Sequence, residues 1–232
     1  MERIILPKKI IDEYEKCGIL SLSEVHGMKE NWQVFEKIIE QLPTKPNLAV
    51  EFGYFDKIEF ENFQSGKEIN LKNIYSFNTE KNAYQGDGRV TLESFTFLKN
   101  YIKKNPDKKI IFLDEKNTDY QKRDLQQANH FLENFEKPSL IISGNLHSSK
   151  EIKEFVNKIF TPMGYYVKEK LGDFPFIDIQ PASGSYLNRE IVFIKPDPIE
   201  NVEEFIDLGE NNYKYYIKEV TPATLLSSLV KI

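Results

Sequence analysis

Two of the three histidines in this chain lie at the ends of short apolar runs, in polar, turn-like settings. His26 sits in Ile19-Leu20-Ser21-Leu22-Ser23-Glu24-Val25-His26-Gly27, and His147 in Leu140-Ile141-Ile142-Ser143-Gly144-Asn145-Leu146-His147. A third run, Leu48-Ala49-Val50, ends on Glu51, and a fourth, Ile110-Ile111-Phe112-Leu113, ends on Asp114-Glu115. Imidazoles and carboxylates together can move protons or hold a metal ion. In an open parallel sheet, ligands bind outside the carboxyl ends of the strands. Four such ends would bring these groups to one rim.

Each group has a chemical and a plainer account. Residues two apart in an extended segment point the same way, so Glu24 and His26 share a face. A carboxylate beside an imidazole fixes its tautomer and raises its basicity, which suits a general base or a metal ligand. A chance Glu-x-His pair would look the same. Gly27 permits a sharp turn directly afterwards. Glu51 ends a run that should be buried, where an ionised carboxylate needs a partner; otherwise it emerges into solvent. Asp114 and Glu115 hold the equivalent place after the next run, and one of them could cap a helix instead.

Gly144-Asn145-Leu146-His147-Ser148-Ser149 reads as a strand-to-helix turn, with Asn145 and His147 sharing a direction and a serine capping the next helix. Helix-cap chemistry is the competing account of His147. One glycine and no Gly-Lys-Ser/Thr make the segment a poor phosphate cradle. Arg89, after Gly86-Asp87-Gly88, could neutralise a substrate carboxylate or pair with Asp87. His130 falls inside an amphipathic helix and reads as structural. No Gly-x-Ser-x-Gly elbow supports a serine nucleophile.

The elements that must position these residues alternate short apolar runs with longer amphipathic ones. That pattern predicts an α/β fold with a mostly parallel central sheet flanked by helices, the site at the C-terminal ends of the strands, in one domain over residues 1–232. Strands are expected over Ile19–Ser21, Leu48–Phe52, Ile110–Leu113, Leu140–Ser143, Phe176–Gln180, Glu190–Lys195 and Tyr213–Val220. Helices are expected over Ile10–Cys17, around Trp32 to Leu42, over Asp56–Phe63, after a Thr91 cap, and over Leu125–Phe135. Ile152, Phe155, Val156 and Ile159 fall at helical spacing and predict one more.

Composition bounds the function. The apolar fraction of 40% and charged fraction of 29% are those of a globular chain. A formal charge of -5, without a basic stripe, argues against nucleic acid as a partner. No run approaches the ~20 apolar residues of a membrane helix, so no membrane partner is expected. The single cysteine, Cys17, and the lack of a secretory h-region lead to the expectation of a cytoplasmic protein.

Ser23-Glu24-Val25-His26-Gly27, with Glu30 soon after, resembles the Gly-Glu-x-His-Gly segment of the erythromycin-esterase-like and ChaN-like superfamily. Glu51 and the Gly144-Asn145-Leu146-His147 turn are similar to that superfamily's second and last motifs. Gly86-Asp87-Gly88-Arg89, Pro162-Met163-Gly164 and Gly184-Ser185-Tyr186 are similar to segments of uncharacterised bacterial relatives. The resemblance spans Ile19 to Tyr186, and Ser23 departs from it by standing where glycine is commoner. It implies an α/β fold with a glutamate- and histidine-lined cleft. Among its members, esterases open a lactone by water attack with a histidine base, Tiki-type relatives are metal-dependent peptidases, and ChaN-like lipoproteins bind haem.

The leading expectation is therefore a hydrolase in which water attacks an ester, lactone or amide carbonyl of a small-molecule substrate. His26 would be the general base, held by Glu24 or Glu51, and His147 the partner acid or a donor to the oxyanion. Arg89, Asp114 and Asn145 would line the pocket. Activity would then rise through about pH 6 to 7. One rival keeps the residues and makes His26, Glu51 and His147 the ligands of a divalent metal. The other is a haem- or small-molecule-binding protein that catalyses nothing.

Overall fold

The computed structural model describes residues 4–74, 88–114, 122–155, 158–188, 190–196, 199 and 202–226. Helix α1 (Lys8–Cys17) leads into β1 (Ile19–Glu24), α2 (Glu30–Gln41) and β2 (Asn47–Val50). Then come α3 (Tyr54–Gln64), a 3-10 turn over Leu71–Asn73, α4 (Leu92–Lys104) and β3 (Ile110–Phe112). The second half runs through α5 (Arg123–Glu133), β4 (Ser139–Gly144) and the single turn α6 (Asn145–Ser148). After β5 (Lys153–Phe155), β6 (Lys158–Phe160) and α7 (Met163–Leu171) follow β7 (Phe176–Pro181) and β8 (Gly184–Asn188). The last elements are β9 (Glu190–Ile194), β10 (Phe205–Gly209) and β11 (Asn212–Ile217).

Seven strands form the central sheet in the order β10-β11-β7-β1-β4-β2-β3, and every neighbouring pair is parallel except β10–β11. Two small antiparallel hairpins, β5–β6 and β8–β9, stand apart from it. The period-two rule shows along β1. Leu20 and Leu22 enter the core that α1, α2 and α4 cover with Tyr14, Phe35, Ile38, Phe95 and Leu98. Ile19 enters the opposite core, built with Ala128 and Phe131 of α5 and Met163 and Val167 of α7. Helices on both faces explain why the parallel strands read as nearly continuous apolar runs.

Two local expectations hold in detail. Thr91 caps α4, its side chain accepting from the Ser94 N–H while the Ser94 hydroxyl accepts from the Thr91 N–H. Tyr213, Tyr215 and Ile217 of β11 are buried at alternate positions, although the strand ends before Glu219. Two others are corrected. Strand β1 runs three residues past the expected Ser21, through Glu24. The helix expected over Ile152–Ile159 is the β5–β6 hairpin, in which Lys153 pairs with Phe160 and Glu154 with Ile159. The helical spacing there marks no buried stripe, because Ile152 and Ile159 are 50% and 82% exposed.

Candidate active site

Strands β1, β4, β2 and β3 are consecutive in the sheet, so their C-terminal ends form one edge. Glu24 is registered with Gly144, and Val50 with both Ile142 and Phe112. Glu51 and Asp114 therefore leave the sheet beside each other, next to Gly144 and Glu24. The four runs singled out by their chemistry do meet at one rim.

At the β1 end, His26 Nδ1 lies 3.0 Å from Glu24 Oε1. A carboxylate only accepts, so Nδ1 carries the proton. The second oxygen of Glu24 accepts from Asn31 Nδ2 at 3.1 Å, and the same amide also donates to the Val25 carbonyl at 2.9 Å. His26 Nε2 is left 3.8 Å from Glu51 Oε2, and its ring is 19% exposed. Gly144 is needed here for closeness: a Cβ would stand 3.0 Å from His26 Nε2 and 3.4 Å from Glu51 Oε2. Burial works against the imidazolium, but the Glu24 hydrogen bond and the charges of Glu24 and Glu51 outweigh it. His26 consequently titrates above its ordinary value.

Glu51 is buried and shared between strands. Its Oε2 accepts from the Gly144 N–H at 2.7 Å, and its Oε1 from the Arg123 guanidinium at 2.6 Å. Burial favours the neutral acid, yet Arg89 and Arg123, helped by the histidines, hold Glu51 well below the usual carboxylate range. Arg123, at the first position of α5, also grips both oxygens of Asp114, at 2.9 and 2.6 Å. Gln127, one turn along α5, donates to Asp114 at 2.6 Å. Arg89 stands over the same pair of acids, 3.5 Å from Glu51 and 3.6 Å from Asp114.

His147 completes the far side. Arg123 Nη1 approaches its Nε2 at 3.1 Å, and because arginine only donates, Nε2 accepts. The ring proton is on Nδ1, which donates to Asp124 at 2.8 Å. Asp124 is fixed in turn by the Met163 N–H that opens α7, at 2.9 Å. Phe160 of the β5–β6 hairpin packs edge-on against the His147 ring, with centroids 5.9 Å apart. Two histidine–carboxylate pairs thus face each other across the Glu51–Arg123 ion pair.

The structure brings together Glu24, His26, Glu51, Arg89, Asp114 and His147. Asn145 is different: it opens the one-turn α6, and residues two apart on a helix diverge, so it does not share His147's direction. Glu115, Gly86 and Asp87 lie outside the described residues. Ser23 donates to Asp178 at 2.7 Å and takes no part in the cluster. Sequence reasoning missed Arg123, Asp124, Asn31 and Gln127. One signal was available: a cation in the first turn of a helix opposes the helix dipole and so implies a partner.

The alternative reading of His26, Glu51 and His147 as metal ligands finds no support in this geometry. Among the described residues no group of three or more His, Cys, Asp or Glu side chains is arranged to hold a metal ion. Arg123 is the physical reason. Its N–H groups occupy the acceptors on Glu51 and His147 that a metal would need, and its charge sits between them. The same contact means that His147, as placed, offers a lone pair rather than a proton. The cationic donors beside Glu51 and Asp114 are the guanidinium groups of Arg89 and Arg123.

No protein-family profile matches the chain, and no curated protein matches it. Solved structures resemble it in fold. One is described as a succinoglycan biosynthesis protein, at 14% identity and a TM-score of 0.63, over 94% of this chain and 91% of that one. Another is a Bacillus cereus protein at 12% identity and a TM-score of 0.59, over 89% and 90% of the two chains. At such identities the likeness is one of fold, a parallel α/β sheet that supports many chemistries.

Proposed function

We propose that the protein is a hydrolase that activates water with His26 to cleave an ester, lactone or amide bond in a small molecule. The observation that carries this reading is the state of His26. Its Nδ1–H is anchored by Glu24, and its Nε2 lies 3.8 Å from Glu51, with no hydrogen-bond partner among the described residues. A single water can hydrogen-bond both Nε2 and Glu51 Oε2 across that distance. His26 takes the water's proton as the oxygen attacks the carbonyl carbon, and Glu24 stabilises the imidazolium that forms. Negative charge developing on the carbonyl oxygen is met by the guanidinium of Arg89. The proton returns from His26 to the leaving group. The resemblance of the Glu24-Val25-His26-Gly27, Glu51 and Gly144–His147 segments to the erythromycin-esterase-like and ChaN-like superfamily supports the same chemistry.

The charges also constrain the substrate. Among the described residues, the permanent charges here are the carboxylates Glu24, Glu51, Asp114 and Asp124 against Arg89 and Arg123, which favours a neutral or cationic substrate over an anionic one. A cytoplasmic setting belongs to the same proposal, supported by a lone Cys17 that forms no disulfide; no described helix is long and apolar enough to cross a membrane. The test is a panel of neutral esters, lactones and amides, assayed with the wild-type protein and with His26→Ala. Turnover of at least one compound, lost by about 10²–10⁴-fold in the variant, supports the reading. Turnover that survives the substitution, or none across the panel, contradicts it.

A further inference from the structure

The loop that carries His26 is tied down by the far end of the chain. The Gly27 carbonyl accepts from the Leu187 N–H at 3.0 Å and from the Ala223 N–H at 2.8 Å, and the Lys29 N–H donates to the Thr221 carbonyl at 3.0 Å. Met28 forms a β-bridge with Pro222. The approach is so close that a Cβ on Gly27 would fall 1.8 Å from the Leu187 oxygen. Gly88, immediately before Arg89, joins the same crossing, since a Cβ there would fall 2.4 Å from the Gly27 Cα.

The segment Thr221–Thr224 then grips two helix starts in the same way. The N–H and hydroxyl of Thr221 donate to the two oxygens of Glu30, at 2.8 and 2.6 Å, at the first residue of α2. The N–H and hydroxyl of Thr224 donate to the two oxygens of Glu93, at 2.8 and 2.5 Å, in the first turn of α4. The Leu92 N–H donates back to the Thr224 carbonyl at 3.0 Å. Helix α2 follows the His26 loop and supplies Asn31; α4 follows the Gly88-Arg89-Val90 segment. One four-residue strap therefore buckles together the two segments that bring the base and one guanidinium to the cleft.

We propose that Glu30 and Glu93, acting through Thr221 and Thr224, are positioning residues that set His26 against Glu24 and bring Arg89 to the cleft. The role rests on the reading of His26 and Arg89 given above, but its test needs no substrate. Each carboxylate receives two donors from one threonine. Charge-assisted pairs of this kind are strong and orient their partners. The two helices also touch directly, through the rings of Trp32 and Phe97 at 5.3 Å between centroids, and the strap adds a polar link at their N-terminal ends.

The experiment is solution NMR of the full chain, following the Nδ1 proton of His26, identified by its loss in His26→Ala. The Nδ1 proton of His147, held by Asp124 on the other side of the cleft, serves as the internal control. In the double variant Glu30→Ala/Glu93→Ala the His26 proton should exchange with solvent at least about tenfold faster, while the His147 proton keeps its wild-type rate. Thr221→Ser/Thr224→Ser, which keeps both hydroxyls, should behave as wild type, and Thr221→Val/Thr224→Val should move toward the double alanine. If the alanine variant does not fold, the valine pair carries the same comparison. An unchanged His26 proton despite a lowered Tm, or equal loss of both imidazole protons, would mean that the strap supports the fold alone and would overturn the proposal.

Discussion

Replacing Arg123 by methionine isolates what holds the cluster together. Arg123 is 6% exposed, and its guanidinium contacts Glu51, both oxygens of Asp114, and His147, at 2.6 to 3.1 Å. Methionine fills similar space but leaves two buried carboxylates with Arg89, at 3.5 and 3.6 Å, as their arginine partner among the described residues, beside the neutral donors Gly144 N–H and Gln127. Removing one partner of a buried ion pair costs about 3–5 kcal/mol, because the remaining charge is stranded. At a urea slope of about 3 kcal/mol/M, suited to a chain of this size, the unfolding midpoint should fall by about 1–1.7 M near pH 7. The pH dependence gives the sharper check. In the wild type Glu51 is depressed by the two arginines, so its stabilisation is present above its unfolded value of about 4.3 and is lost as pH falls through the lower folded value. Without Arg123 one of the two cations that depress Glu51 is gone while Arg89 remains, so the variant's carboxyl takes up its proton at a higher pH than the wild type's. The gap between the two proteins should therefore narrow as the pH falls through the carboxylate range, where the variant's Glu51 protonates before the wild type's. Arg123→Lys, which keeps charge but not the fork, should fall between them. A cost below about 1 kcal/mol near pH 7, typical of a surface pair, would refute the reasoning, as would a gap that does not narrow in acid.

Other consequences follow from single contacts. Lys150 is 2% exposed, and its ammonium is held by Asp173 and by the carbonyls of Phe174 and Glu210, at 2.7 to 3.0 Å. Lys150→Met should cost about 2–3 kcal/mol, a fall in Tm of about 4–12 °C in a thermal melt. Gly27 and Gly66 both have positive φ, +82° and +70°, but only Gly27 is crowded. Gly66→Ala should cost about 1–2 kcal/mol, the price of the left-handed conformation alone, whereas Gly27→Ala should add the Leu187 collision and cost more than about 3 kcal/mol. Equal losses in urea titrations of the two variants would contradict that account.

The strand ends were legible because each apolar run stops on a polar residue that has no business in a core. Glu24, Glu51 and Asp114 were found in this way, and so was the parallel α/β sheet that gathers them. Arg123 and Asp124 were hidden by their place at the start of an amphipathic helix, where Asp is common for its own electrostatic reasons. Asn31 looked like an ordinary helix residue because its partner, Glu24, lies in another element. The 152–160 segment misled through a helical spacing of Ile and Phe over too few residues for periodicity to separate helix from strand. The strap at Thr221–Thr224 depends on pairings between opposite ends of the chain, which no local pattern encodes.

The measurement that bears most directly on the central claim is the pH dependence of kcat/KM on an ester substrate, for wild type and His26→Ala. Glu24 and Glu51 raise the His26 pKa, so the base form accumulates later than in free imidazole. Wild-type activity should rise with a midpoint above about 6.5, higher than the sequence alone suggests, and that limb should vanish in the variant together with at least about 10²-fold of the rate. A wild-type profile flat from about pH 6 to 8, or a limb that survives His26→Ala, would contradict His26 as the base.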